Sequence, residues 1–93
     1  MQFTKKLRAG IKSGDITTSI RIWQKPRVKQ GGRYTVEGGE VVVTSIREIT
    51  FNDISEKMAR DSGFLSRVDL LKTAKHGKGN KIYFIRFHFE GKN

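Results

Sequence analysis

The chain has no cysteine. Disulfides, thiol catalysis and thiolate metal sites are thereby excluded, and a reducing, cytoplasmic location is expected. Proline occurs once, at Pro26, and histidine twice among 93 residues. Two imidazoles without thiolates make a poor ligand set, so neither a metal nor a cofactor is expected. No apolar stretch approaches the roughly 20 residues that span a bilayer. The opening, MQFTKKLRAG, lacks the apolar core of a secretion signal. No membrane partner is expected, and a monomer fits these totals. The length suits one domain with a single modest core, and no repeat or low-complexity linker divides it.

Acid is what the N-terminal third lacks most. Residues 1–33 carry nine Lys and Arg against the single acid Asp15, a balance of +8. Residues 34–93 carry ten against eight, so the net charge of +10 is concentrated at one end. A local excess of this kind points to a polyanionic partner, nucleic acid first. The plainer alternative is a solvated basic surface.

Hydropathy patterning gives the order α-β-β-β-α-α-β. Phe3, Leu7 and Ile11 stand four apart, a helical stripe with Gly10 as its stop. ITTSIRIW alternates: Ile16, Thr18, Ile20 and Ile22 share one strand face, and Thr17, Ser19, Arg21 and Trp23 the other. GGRYTVEGGEVVVTSIREIT reads as two strands joined by a turn at 37–40. NDISEKMARDSG predicts a helix capped by Asn52 or Asp53, with Glu56 in a capping box, and closed by Gly63. SRVDLLKTAKHG predicts a second helix with a Ser66–Asp69 capping box, turning Val68, Leu71 and Ala74, or else Leu70, inward. KIYFIRFHFE is an aromatic strand with Tyr83, Ile85, Phe87 and Phe89 on one face. The expected fold class is α+β: a small β-barrel flanked by about three helices.

If the chain stays extended past Trp23, then Ser19, Arg21, Trp23, Lys25, Arg27 and Lys29 fall on one side at period two. Such a cation stripe binds phosphates and gains from counterion release. An aromatic within it can stack on an unpaired base, worth about 1–3 kcal/mol. The set favours single-stranded nucleic acid or a nucleotide over duplex grooves. Trp23 taken alone is equally compatible with a place in a barrel wall.

Other motifs carry less. GIKSG lacks the spacing and the preceding strand of a P-loop. His88 and Glu90 share a strand face and are better explained as an ion pair, or as solvent-exposed groups, than as metal ligands. His76, among Lys72, Lys75, Lys78 and Lys81, suits a helix C-terminus; a phosphate contact or acid–base work on RNA is the sharper alternative.

At AGIKSGDITTSIR the chain resembles the ASCH family, whose fold is related to the PUA domain. Gly10 and Lys12 match the first half of its signature, and Ser19 and Arg21 the second, with four extra residues between the halves. The order of the remaining elements extends the resemblance over nearly the whole chain, one ASCH-like domain across residues 1–93. The resemblance implies a PUA-like β-barrel with a cleft between barrel and helices, and a ligand that is RNA or a modified nucleoside. Some members look like amidohydrolases acting on acylated cytidine, and others have been linked to RNA cleavage. In the former a Lys, a hydroxyl residue and a Glu act together. Carried over, Lys12 is the Lys and Ser19 the hydroxyl, with Thr18 as a neighbouring substitute. The acid position falls on Ser62, and Asp61 is the adjacent carboxylate. The expected function is thus RNA or nucleotide binding through Lys12, Arg21, Trp23, Lys25, Arg27 and Lys29. The alternative is a small hydrolase, an amidohydrolase or a ribonuclease, using Lys12 and Ser19 with Thr18 and Asp61 beside them.

Overall fold

The computed structural model describes residues 3, 5–36, 38–75 and 81–91. Helix α1 forms over Lys5–Ser13 and turns Leu7 and Ile11 to the sheet beside Phe3. The expected stop at Gly10 is displaced: the helix runs through Gly10, on which Ile16 packs, and ends before Gly14. Gly14 takes a φ of 86°, the left-handed conformation that a glycine adopts freely at a helix end.

Strands β1 (Thr18–Trp23), β2 (Arg33–Val36), β3 (Gly39–Ile49) and β4 (Lys81–Gly91) make one antiparallel sheet in the order β1-β4-β3-β2. β4 is last in the chain yet lies inside the sheet, because apolar residues on both its faces need cover on both. Tyr83, Ile85 and Phe87 meet Phe3, Ile11, Val28 and Val41 in a first core. On the opposite face Phe84 meets Ile20, Ile49, Ile54, Ala59 and Leu70 in a second. The α+β class and the flanking helices agree with the sequence pattern. The sheet is a curled half-barrel, with β1 and β2 as edges that do not pair with each other.

Part of the curl comes from β3. Its register against β4 shifts between Val43, opposite Phe87, and Ser45, opposite Arg86, leaving Thr44 as an extra residue. A bulge of this kind bends the strand and increases its twist. Val41 and Val43 therefore serve the first core, whereas Ile49 serves the second.

After β3 the chain makes a short 3-10 turn, Phe51–Asp53, then α2 (Glu56–Asp61) and α3 (Arg67–Lys75). The cap of α2 is Ser55, whose Oγ accepts from the Met58 N–H at 3.0 Å. Asp53, expected to cap α2, instead accepts from the Thr50 N–H and hydroxyl at 2.8 and 3.0 Å. Gly63 follows α2 with a φ of 93°. The Ser66 cap of α3 accepts from the Asp69 N–H at 3.1 Å, as its capping box requires. The Asp69 carboxylate, however, accepts from the Leu65 N–H at 3.0 Å. Of the apolar alternatives on α3, Leu70 faces the core, while Val68 and Leu71 face solvent. His76 and Lys78 lie outside the described residues.

Candidate nucleic-acid interface

β1 carries the residues that matter, and both its faces are covered. Ile20 is buried in the second core. The opposite face, which the alternation assigns to Ser19, Arg21 and Trp23, looks into the first core rather than out to water. Ser19 is buried, and its Oγ accepts from Arg21 Nε at 2.8 Å. The Arg21 guanidinium lies 4.9 Å from the centre of the Phe3 ring, close enough for cation–π attraction. Phe3 itself tilts against Phe87 at 5.6 Å. Burial pushes the Arg21 pKa below its ordinary value, yet a guanidinium stays charged at neutral pH. Arg21 is thus a cation held in place by a hydroxyl and an aromatic ring.

Trp23 ends the strand half-buried at the rim of the first core. Its ring centre is 5.9 Å from that of Tyr83, with planes inclined at 38°. The residue as a whole is partly open to solvent. The extended run expected beyond it is not formed. The chain bends through residues 24–32, and Val28 dips into the first core. Lys25, Arg27 and Lys29 remain exposed on this loop, but as separate points rather than one period-two stripe. The loop is pinned: the Lys29 N–H donates to Tyr34 Oη at 3.1 Å, and the Gly31 N–H to the Val43 carbonyl at 2.7 Å.

Lys12 is exposed in the last turn of α1, where a cation is favourable against the helix dipole. Thr18 opens β1, and its Oγ1 lies 2.9 Å from the Oγ of buried Ser62, at the end of α2. Ser62 thus meets Thr18 and not Ser19, whose hydroxyl is taken by Arg21. Asp61 stands on the exposed side of α2, its carboxylate 2.8 Å from Lys57 Nζ.

Sequence reasoning did not find Phe3 and Tyr83 as supports for Arg21 and Trp23. No spacing rule links Phe3 to Arg21, since sheet and helix packing alone bring them together. The cross-strand pairing of Arg21 with Tyr83 depends on the register of β1 against β4, which sequence patterning leaves open. At the far end of the sheet, His88 Nε2 lies 2.8 Å from Glu90, which also meets Arg33 at 2.9 Å. Among the described residues no group of three or more His, Asp or Glu could hold a metal. No helix among them is long and apolar enough to cross a membrane. No family model, curated protein or solved structure matches this chain.

Proposed function

We propose that the chain is an ASCH-like, PUA-related module that binds single-stranded RNA or a nucleotide at the surface of β1, α1 and the 24–32 loop. One observation carries the reading: Arg21 is fixed between the Ser19 hydroxyl and the Phe3 ring, two residues from a half-open Trp23. Alternate residues on a strand are about 7 Å apart, a separation that one nucleotide can bridge from base to phosphate. Trp23 supplies a stacking face and Arg21 a forked phosphate contact. Lys12, Lys25, Arg27 and Lys29 add screened attraction to the rest of the strand. A fixed cation and a ring already packed on Tyr83 lose little freedom on binding.

Amide NMR titrations with single-stranded RNA, cytidine and an acylated cytidine test this. Shifts centred on residues 18–29 are expected. Trp23→Ala should weaken binding about fivefold to a hundredfold, the range that stacking energies imply. Arg21→Lys, which keeps the charge and loses the fork, should also weaken it. Binding insensitive to both changes overturns the proposal and leaves bulk charge as its cause.

The hydrolase alternative draws support from the contact between Thr18 and Ser62. Against it, the carboxylate of Asp61 is engaged by Lys57, and a Lys activates a hydroxyl only when it is partly neutral. Turnover of acylated cytidine or RNA that is lost in both Lys12→Ala and Ser19→Ala would restore it.

A further inference from the structure

The first residue of β4 stands beside the last residue of β1. Lys81 is the direct partner of Trp23, in the same register that sets Tyr83 opposite Arg21. Opposite residues of an antiparallel pair project to one face, with Cβ atoms roughly 5 Å apart. Here that is the face of the first core, since Tyr83, Ile85 and Phe87 follow Lys81 at period two. Tyr83 is buried, whereas Lys81, at the rim, is exposed. Two other cations of the sheet are engaged: Arg33 meets Glu90 at 2.9 Å, and Arg86 lies 5.5 Å from the centre of the Phe84 ring. Among the described residues no salt bridge holds Lys81.

Trp23 is thus the corner between two cations that lie in different directions. Arg21 is two residues back along β1, about 7 Å away. Lys81 is across the ladder, and as a diagonal neighbour of Arg21 it is about 7–8 Å from it. A base stacked on the indole therefore has a cation on each of two sides. Phosphate number separates the ligands that such a corner could take. A nucleoside has no phosphate and a mononucleotide one. A nucleotide inside a strand has two, on its 5′ and its 3′ side. We infer, resting on the binding proposed at β1, that the Trp23 site takes an internal nucleotide of a single strand. Its base stacks on Trp23, one flanking phosphate meets Arg21 and the other meets Lys81. Both cations stand on paired strands of one ladder, so their spacing about the indole is set by the sheet. Lys25, Arg27 and Lys29, on the loop, meet phosphates further along the strand.

The test is an amide NMR titration of the whole chain with cytidine, cytidine 5′-monophosphate, cytidine 3′-monophosphate and cytidine 3′,5′-bisphosphate. The bisphosphate should bind about twofold to fivefold tighter than either monophosphate, the gain of one exposed ion pair. Lys81→Ala should erase the advantage of one phosphate position, Lys81→Arg should restore it, and Arg21→Lys should weaken the response to the other position. Thermal unfolding of Lys81→Ala should stay near wild type, because the position is exposed. Lys72→Ala removes the same charge from α3, on the other side of the sheet, and should leave the series unchanged. With a single-stranded RNA, Lys81→Ala should lower the slope of log affinity against log salt by about 0.7, one phosphate contact. A bisphosphate no tighter than both monophosphates overturns the inference, as does a loss equally large in Lys72→Ala. If Trp23→Ala still weakens RNA binding in that case, binding at β1 stands and only the internal-nucleotide inference falls. Absence of binding by RNA and by all four compounds sinks both.

Discussion

Trp23 and Arg21 stand on the same side of one strand, but their removal has different consequences. Trp23 contributes a ring to the rim of the first core, against Tyr83. Trp23→Phe should retain much of that packing while offering a smaller stacking face. Comparing it with Trp23→Ala in both urea unfolding and RNA titration separates structural from binding loss. If Trp23→Phe binds RNA no better than Trp23→Ala at equal stability, stacking is not the source of affinity. Gly63 gives a sharper expectation. Its φ of 93° is left-handed, and a Cβ there would collide with the Leu7 side chain. Gly63→Ala should therefore cost at least about 1–2 kcal/mol, read as a lower urea midpoint; an unchanged midpoint would contradict the packing of α1 against the end of α2. At this scale the sequence was informative about chemistry and less so about environment. Alternation placed Ser19, Arg21 and Trp23 together correctly. It could not tell that their face is covered by Phe3 and α1, because covering is a tertiary event and alternation records only that two faces differ.

Helix ends and turns follow from short-range rules that two or three residues satisfy equally well. Asn52, Asp53 and Ser55 all qualify as caps in NDISEK, and the structure divides the work: Ser55 caps α2, and Asp53 closes the turn on Thr50. Ser55→Ala should cost about 1 kcal/mol, measurable by thermal unfolding. Two carboxylates tie acid stability to such local elements. Hydrogen bonds from the Thr50 backbone and hydroxyl hold the Asp53 pKa below its ordinary value. Hydrogen bonds from His88 and then Arg33 do the same for Glu90. A depressed carboxylate contributes stability that is complete above the usual carboxylate range and is lost as pH falls through the lower, folded value. Asp53→Asn and Glu90→Gln should therefore each flatten the acid limb of a stability–pH curve below about pH 4. Curves parallel to wild type would show that these bonds do not persist in solution. Helix α3 shows where periodicity gives no decision. Val68, Leu70 and Leu71 put apolar groups on both sides, so either face could have been the inner one. The cap at Ser66 and the stacking of Arg67 on Phe51 select Leu70.

Across the whole molecule, charge and sheet order set behaviour that no element has alone. The order of elements was legible because each is marked by its own period. The sheet order β1-β4-β3-β2 was not, although the doubly apolar pattern of β4 hinted at an interior place. If the basic third of the chain meets RNA phosphates, log affinity should fall linearly with log salt, at about 0.7 per single-strand phosphate engaged. Titration across several salt concentrations gives that slope. A slope near zero would remove the electrostatic half of the proposal, and a slope unchanged when Lys25, Arg27 and Lys29 are replaced together would move the contact elsewhere.

Thr44 has a consequence for how this chain can change in length. Val41, Val43 and Ile49 are all odd-numbered, yet they line opposite interiors, because the additional residue reverses the phase of β3 halfway along. Within the first core the slip appears as a change from odd-numbered Val41 and Val43 to even-numbered Ile46. Removing Thr44 would leave Val43, Ser45, Ile46 and Ile49 in unbroken alternation opposite their present β4 partners, so each would keep its interior, whereas removing Arg47 would set Ile46 and Ile49 two apart and force both to one face. Deletion of Thr44 should accordingly keep a cooperative thermal transition, whereas deletion of Arg47 should abolish it.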